Sequence, residues 1–225
     1  MKIISGFYNK NNKEYNLYLS NLQKSAQKLG MEVKIYSDEI KYEKGNDYWT
    51  KCVKSKPVFV LNALNELNEG VMWVDADCLF IKKIDLDEVM KDCDIALTLR
   101  DIESRYKNVE QRIGTNSAVI DGYLNTGVMF FNCNDKVKEF LKKVIDLCSA
   151  CRWEQDAFNK RILKYSKMEK YDEIIDVNGC KIKILNCREY NCFYFPPEDR
   201  AKILHFKSIE TSTTKNIYNK YIEQL

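Results

Sequence analysis

The first third of the chain alternates short apolar runs with longer stretches in which apolar residues recur every three or four positions. A short continuous run is typical of a strand, and the longer spacing is typical of a helix with one buried face. Gly30 ends the first helical stretch, and Pro57 opens the second because the first turn of a helix does not need its N–H. The predicted elements are strands at residues 2–6, 33–36 and 71–74, with helices before Gly30 and between Pro57 and Gly70.

The rest of the chain continues this alternation. Asn134 precedes an apolar stripe at residues 137–148 and is predicted to cap its helix. The polar stretch from residue 100 to 117 has no assigned element and is long enough for a lid or an acceptor loop. Further strands are predicted at 94–99, 126–131 and 203–206, a strand hairpin at 177–192, and helices at 154–163 and 215–222. The pattern predicts an α/β fold with a mainly parallel central sheet flanked by helices, in which ligands lie outside the carboxyl ends of the strands.

Length and charge limit the classes of function that the chain is expected to have. The chain has 225 residues, with 36 Lys and Arg against 33 Asp and Glu and a net charge of +3. This length suits a single domain spanning residues 1–225. Because the charges nearly balance, the chain lacks the excess of basic residues that is typical of nucleic-acid-binding proteins. Nucleic-acid binding is therefore not expected. No stretch suits a secretion signal or a membrane span, so a cytoplasmic location is expected.

The nine cysteines are expected to be free thiols, because their number is odd and the cytosol is reducing. Cys148 and Cys151 have C-x-x-C spacing, and Cys187 with Cys192 would have to complete a zinc site. The second pair has the wrong spacing for a zinc knuckle, and Cys148 belongs to an apolar helical stripe. Structural zinc and redox activity are therefore disfavoured.

Two carboxylates follow the apolar run at residues 71–74. Asp75 and Asp77 stand one residue apart where the predicted central strand ends. Like charges beside a buried strand are costly unless a cation pairs with them. Hard carboxylate oxygens suit Mg²⁺ or Mn²⁺, and these ions in turn suit a diphosphate. In the alternative interpretation, Asp75 caps a turn and Asp77 is solvated.

Four segments, in the expected order, resemble motifs of GT-A fold glycosyltransferases of the glycogenin and galactosyltransferase type. They are Trp73-Val-Asp75-Ala-Asp77, Tyr123-Leu-Asn125-Thr126-Gly127, Trp153-Glu-Gln155-Asp156 and Ile203-Leu-His205-Phe-Lys207. The resemblance runs from residue 1 to about residue 207 and implies a single-domain, Rossmann-like GT-A fold. The chain departs from glycogenin-like members after His205, where those proteins have a Gly and then Lys-Pro-Trp.

The resemblance implies a metal-dependent hexosyltransferase that moves a sugar from a nucleoside diphosphate sugar, a UDP-sugar, to a hydroxyl of a glycan or another acceptor. It also implies retention of the anomeric configuration, with the departing diphosphate accepting the acceptor's proton. The implied ligands of Mn²⁺ or Mg²⁺ are Asp75, Asp77 and His205, and the implied catalytic residues are Gln155 and Asp156. The implied nucleotide contacts are Ser5, Gly6, Phe7, Tyr8, Lys56, Ala76 and Lys207. The implied sugar or acceptor contacts are Asn125, Thr126, Gly127 and Asp101.

Each of these residues also has a purely structural interpretation. A lone histidine on an apolar strand is often a satisfied core residue. Asn125 and Gly127 suit a strand-entry turn, and Asp156 suits the N-terminus of a helix. Residues 5–8 can be ordinary turn packing, and Lys56 can be an exposed lysine.

Two other functions are considered. A phosphohydrolase of the haloacid dehalogenase type also combines an apolar strand with Asp-x-Asp, but that class places the motif on its first strand and has Thr or Val where Leu79 stands. A non-catalytic binder of nucleotide sugars would have lost turnover. The intact pair of Asp75 and Asp77 argues against that loss.

Overall fold

A computed structural model describes residues 1–7, 13–37, 52–100, 124–151, 153–163, 170–207, 209 and 211–225. Phe7 is described by its backbone alone. Tyr8, Asp101 and almost all of the polar stretch at 100–117 lie outside the described residues. In the ranges given, no helix is both long enough and apolar enough to cross a membrane.

The described elements follow the predicted alternation of strands and helices. The strands are β1 (Lys2–Phe7), β2 (Val33–Ser37), β3 (Val71–Val74), β4 (Cys78–Phe80), β5 (Ile95–Leu99), β6 (Leu124–Phe131), β7 (Ile174–Val177), β8 (Cys180–Asn186) and β9 (Ile203–His205). The helices are α1 (Lys13–Lys28), α2 (Lys56–Leu67), α3 (Leu86–Val89), α4 (Asp135–Cys148), α5 (Glu154–Leu163), α6 (Cys187–Tyr190) and α7 (Ser212–Ile222). The predicted cap of α4 is confirmed, because the Asn134 side chain accepts from the Val137 N–H at 3.0 Å.

The central sheet has seven strands in the order β2-β1-β3-β6-β5-β8-β7. β1 pairs in parallel with β2 and β3, and β5 pairs in parallel with β8. β6 is antiparallel to both β3 and β5, and β7 is antiparallel to β8. Strands β2, β1, β3, β5 and β8 thus run in one direction and β6 and β7 in the other. The predicted α/β fold with a mainly parallel central sheet is confirmed.

Helices cover both faces of this sheet. On β3, Val71 and Trp73 pack into one apolar cluster with α2, α4 and α5, whereas Met72 and Val74 pack into another with α1. All of β3 is buried, as expected of an apolar run without alternation. Packing on both faces fixes the backbone from which Asp75 continues.

The direction of β6 decides which residues meet at the end of β3. Because the two strands are antiparallel, the first residues of β6 lie beside the last residues of β3. The Asp75 backbone N–H donates to the Gly127 carbonyl at 2.8 Å. The Asn125-Thr126-Gly127 segment therefore lies next to the two aspartates.

A small second sheet, which was not predicted, pairs β4 with β9 in antiparallel register. The chain reverses after β3, and the Cys78 N–H donates to the Asp75 carbonyl at 3.2 Å. In the register of the two strands, Cys78 is opposite His205. The predicted last strand is thus confirmed, and its pairing with β4 brings His205 beside Asp77.

Predicted boundaries are wrong in α2, in the hairpin and in α7, which begins at Ser212 and not at residue 215. α2 ends at Leu67 before Gly70, because Asn68 adopts the left-handed conformation with φ 49° and terminates the helix. The hairpin begins at Ile174, and its turn is Asn178-Gly179, where both residues have positive φ. Asn-Gly is the preferred pair for such a two-residue turn. After β8 the chain forms the short helix α6, where the prediction continued the hairpin.

Candidate functional site

Polar side chains from several elements converge where β3 ends. They belong to the β3–β4 turn, to β9 and to the first residues of α2, β6 and α5. Most are buried although the surrounding sheet is apolar. The predicted site residues gathered here are Lys56, Asp75, Asp77, Asn125, Thr126, Gln155, Asp156 and His205.

Two donors orient the carboxylate of Asp75. Trp73 Nε1 donates to its Oδ1 at 2.8 Å, and Lys56 Nζ lies 2.8 Å from its Oδ2. The side chain of Asp75 is 20% exposed. Its oxygens are therefore held by side chains of β3 and α2 and are not used to cap the turn that follows.

Lys56 lies between two carboxylates. Its Nζ is 3.0 Å from Glu154 Oε1 as well as 2.8 Å from Asp75 Oδ2, and the Lys56 side chain is only 8% exposed. Thr126 Oγ1 donates to the same Glu154 oxygen at 2.8 Å. A buried charge is costly unless it is paired, so this cluster fixes α2, β3, β6 and α5 relative to one another. The interpretation of Lys56 as an exposed lysine is wrong, and Glu154 belongs to the site although it was not among its predicted residues.

His205 and Asp77 face each other. Nε2 of His205 lies 3.4 Å from Oδ1 of Asp77, and His205 is 4% exposed. Burial raises the pKa of the Asp77 carboxyl, whereas His205, Lys56 and a backbone hydrogen bond lower it, and on balance this pKa lies below its ordinary value. Asp77, Cys78 and His205 each offer one ligand atom, and these atoms lie within 4.8 Å of one another. In the part of the chain that the structure describes, no other group of His, Cys, Asp and Glu has this arrangement.

Gly127 lies where β6 passes the histidine ring. A Cβ at this position would be 2.4 Å from His205 Cε1 and 2.6 Å from its Nδ1. The glycine therefore makes room for the imidazole, a role that the sequence did not indicate. Asn125 Oδ1 accepts from the Gly127 N–H at 2.9 Å within β6, where the register with β5 shifts, so these residues do not form a turn before the strand.

Asn191 is the main residue that sequence reasoning missed. It is fully buried after α6, and its Oδ1 lies 2.7 Å from His205 Nδ1. Its Nδ2 donates to Asn125 Oδ1 at 2.7 Å and to Thr98 Oγ1 at 2.8 Å. A single asparagine after a short helix has no periodic or motif signal, so only its tertiary contacts identify it.

Gln155 and Asp156 are buried in the first turn of α5. Asp156 Oδ2 accepts from the Trp153 backbone N–H at 3.2 Å, and a carboxylate in the first turn is favoured by the N–H groups there. Asn159 anchors α5 to β6, because its Oδ1 accepts from the Leu124 N–H at 3.1 Å. Asp156 therefore stabilises the helix start, and its helix is fixed beside the Lys56 cluster.

Ser5 and Gly6 lie near the end of β1, at the same edge of the sheet as Asp75 because β1 and β3 are parallel. A Cβ at Gly6 would be 2.6 Å from Trp73 Cη2, so the indole covers this glycine. Ser5 is fully buried, and its Oγ has no hydrogen-bond partner among the described residues.

Lys207 follows β9 and is half-buried, with its Nζ 5.0 Å from the centroid of the Phe193 ring. Burial, and then the like charge of Arg100, lower the pKa of Lys207 to about 8. Ala76 is buried in an apolar cluster with Phe206, so the part of Ala76 that can reach a ligand is its backbone.

All nine cysteines are free thiols. Eight are buried, and Cys133 is partly exposed. Among the described residues, the cysteines at positions 148, 151, 187 and 192 form no group that could hold a metal ion. The C-x-x-C spacing therefore belongs to the packing of α4, where Cys148 lies in the apolar cluster on that face of the sheet.

The family described as nucleotide-diphospho-sugar transferase matches residues 20–216 of the chain. This range includes the Asp75 and Asp77 turn, the start of β6, the start of α5 and His205. No curated protein matches the chain.

Solved structures share the architecture. The glycosyltransferase involved in the glycosylation of the major capsid of PBCV-1 aligns with a TM-score of 0.61 at 14% identity, over 99% of this chain and 98% of that one. Mouse xyloside xylosyltransferase 1 in its apo form aligns with a TM-score of 0.52 at 11% identity, over 92% of this chain and 97% of that one. Galactosyltransferase LgtC in complex with donor and acceptor sugar analogs aligns with a TM-score of 0.51 at 12% identity, over 100% and 96%. At these identities the likeness concerns the fold.

Proposed function

The chain belongs to the nucleotide-diphospho-sugar transferase family and has the fold of GT-A glycosyltransferases, and from this premise we propose that it moves a hexose from a UDP-sugar to an acceptor hydroxyl, with a divalent cation and with retention of configuration. Membership of a transferase family argues against a dehalogenase-type phosphohydrolase, and the intact pair of Asp75 and Asp77 argues against a non-catalytic binder. The position of the Asp75 turn after the third strand, β3, also separates it from the first-strand motif of the phosphohydrolases.

The main support for a cation is the 3.4 Å approach of His205 Nε2 to Asp77 Oδ1. The Asp77 oxygen and an unprotonated Nε2 are both acceptors, so a cation held by both would take the place of the hydrogen that otherwise joins them. Asp77 and His205 would hold the cation, because their ligand atoms lie close enough together to share one ion. Carboxylate and imidazole both suit Mn²⁺, so the residues fit the group. When bound, such a cation supplies positive charge that stabilises the departing diphosphate.

Asp75 is proposed as the second carboxylate of the site. Its oxygens are engaged by Trp73 and Lys56, whereas those of Asp77 are directed at His205. Asp77 is therefore expected to be the stronger cation ligand. The carboxylate of Asp75 is expected to move less when a nucleotide binds. The ammonium of Lys56 is already paired with two carboxylates, so we propose that it holds Asp75 and Glu154 in place.

The nucleotide is proposed to bind between the end of β1 and the residues after β9. Ser5 brings a buried hydroxyl to this edge, and Lys207 brings a cation that suits a diphosphate. Gly6 and the Ala76 backbone permit close approach of the nucleotide.

The donor sugar is proposed to lie over the starts of β6 and α5. Asn125 and Thr126 belong to β6, and Gln155 with Asp156 to α5. Glu154 also lies at the start of α5, but its Oε1 binds Lys56 and Thr126. We therefore assign Glu154 a structural role and propose that the Asp156 carboxylate orients the donor sugar, in a retaining reaction in which the leaving diphosphate takes the acceptor's proton.

Calorimetric titration of UDP in the presence and absence of Mn²⁺ tests this function. We expect UDP affinity to depend on Mn²⁺, the Asp77→Asn variant to lose most of that dependence, and Asp75→Asn to lose less. Asp87→Asn is the matched control, because Asp87 is an exposed carboxylate in α3. UDP binding that is equally strong without metal, or unchanged in both Asp75 and Asp77 variants, would refute the proposed site.

A further inference from the structure

The histidine ring at the site is held by a chain of hydrogen bonds whose directions can be deduced from the backbone. Gly127 N–H is a donor in every protonation state, and Asn125 Oδ1 lies 2.9 Å from it. The atom of Asn125 that faces Gly127 must therefore be the amide oxygen. This assignment sets the direction of the next bond.

Asn125 Oδ1 also faces Asn191, with 2.7 Å between Oδ1 and Asn191 Nδ2. An amide oxygen accepts only, so the Asn191 atom that faces it must be the NH₂ group. Thr98 agrees with this orientation, because its hydroxyl donates to the Asn125 carbonyl at 2.9 Å and accepts from Asn191 Nδ2 at 2.8 Å. The opposite orientation of Asn191 would place two acceptors 2.7 Å apart in a buried site, which is strongly unfavourable.

The orientation of Asn191 leaves its oxygen 2.7 Å from His205 Nδ1. An oxygen that only accepts requires a hydrogen on that nitrogen. In a neutral imidazole the hydrogen on Nδ1 leaves Nε2 unprotonated, and Nε2 is the nitrogen that faces Asp77.

We propose that Asn191 is a positioning residue that holds the neutral His205 ring in the tautomer protonated at Nδ1, so that Nε2 is available as a ligand beside Asp77. In this arrangement the Gly127 N–H fixes the orientation of the Asn125 amide, and Asn125 fixes that of the Asn191 amide. Asn191 in turn fixes the tautomer of the ring. Free histidine in water favours the opposite tautomer, so the network changes which nitrogen is unprotonated. The deduction of the tautomer is independent of the cation, and only its use rests on the proposed function.

The test uses the fact that the protein has one histidine. The whole protein is labelled with ¹⁵N-histidine, and two-bond ¹H–¹⁵N correlation spectra are recorded at increasing pH until the ring signals no longer change, so that the neutral ring is observed. The two ring nitrogens then report directly which of them carries the hydrogen. We expect Nδ1 to have the protonated shift and Nε2 the unprotonated shift in the unmodified protein. A spectrum with the hydrogen on Nε2 overturns the proposal without any variant.

Asn191→Leu removes the acceptor at similar volume, and we expect the ring to move to the Nε2-protonated form or to a mixture. Thr98→Val is the matched control, because Thr98 is equally buried and also bonds to Asn191 but does not contact the ring. It should keep the Nδ1-protonated form. A ring that keeps its hydrogen on Nδ1 in Asn191→Leu would show that Asn191 has a merely structural role.

A separate measurement distinguishes failure of this inference from failure of the proposed function. Mn²⁺ bound at the site broadens the His205 ring signals, and we expect Asn191→Leu to weaken Mn²⁺ affinity roughly 10- to 100-fold, as loss of a partner behind a metal ligand commonly does. Absence of broadening in the unmodified protein would contradict the metal site while leaving the tautomer result intact. Broadening with equal Mn²⁺ affinity in Asn191→Leu would contradict the role of Asn191 in metal binding.

Discussion

The imidazole of His205 occupies the space in which a side chain at Gly127 would lie, with Cε1 only 2.4 Å from the position of a Cβ. The two residues are on different sheets, β9 and β6. Because the ring is also held by Asn191, it cannot move aside without breaking a buried hydrogen bond. The position of the ring beside Asp77 therefore depends on the absence of a side chain at residue 127.

Gly127→Ala is predicted to displace the His205 ring. Overpacking a buried position typically costs about 1–3 kcal/mol of unfolding free energy, and displacement of the ring should remove most Mn²⁺-dependent UDP binding. Chemical denaturation measures the first effect and calorimetric titration the second.

Gly30→Ala provides the control for that prediction. Gly30 has φ +70°, and apart from its chain neighbours no described residue has an atom within 4 Å of the position that a Cβ would take there. Alanine at this position therefore costs about 1–2 kcal/mol through backbone strain alone. This variant should be destabilised with its UDP binding intact. If both variants lose binding equally, the effect at Gly127 is one of general stability and the relationship with His205 has no functional consequence.

Lys56→Met is predicted to be among the most destabilising single changes in the chain. It leaves the carboxylates of Asp75 and Glu154 buried near each other without their cation, and breaking a buried ion pair from one side typically costs about 3–5 kcal/mol. Lys34→Met is the comparison, because Lys34 pairs with Glu66 on the surface and should change the unfolding free energy little. Equal unfolding midpoints for the two variants in urea would contradict the structural role of the Lys56 cluster.

Asp156→Asn is predicted to lower turnover sharply with little change in UDP affinity. The asparagine oxygen can still accept from the Trp153 N–H, so the start of α5 should be preserved. The lost negative charge is the one proposed to orient the donor sugar. Initial rates with a UDP-sugar and calorimetric binding of UDP separate the two effects, and a parallel loss of both would argue for a structural role alone.

The stereochemical outcome is predicted to be retention. NMR of the newly formed linkage compares its anomeric configuration with that of the donor. Inversion would require a general base within hydrogen-bond reach of the attacking hydroxyl, and Asp101 and Glu154 would then be the first residues to substitute.

Thiol reactivity is predicted to be confined largely to Cys133. Burial raises the pKa of Cys93 to about 11 and those of Cys148 and Cys180 to about 12, so these thiols stay protonated at a pH of about 8 and react poorly. A colorimetric thiol reagent should modify about one cysteine in the native protein at that pH and all nine after denaturation. Cys133→Ser should abolish the native reaction, and fast modification of several thiols would contradict the burial described.

Elements with strong local signals were predictable from the chain itself. The apolar run of β3, the Asn134 cap of α4 and the bounds of α5 agree with the structure because each depends on contacts between near neighbours in sequence. The turn at Asn178-Gly179 also has a local signal, because Asn-Gly favours the positive φ of both turn residues.

The sequence alone determined the α/β class, the strand that ends at Asp75 and the motifs of the transferase family, since apolar periodicity and short motifs are local properties. Only the tertiary structure decided that β6 runs against β3, that β4 pairs with β9, and that Lys56 lies between Asp75 and Glu154. It also decided the contact of Asn191 with His205. These relations join residues far apart in the chain, and they exist because buried charges and amide groups must find partners wherever the packing of the sheet and helices brings them together.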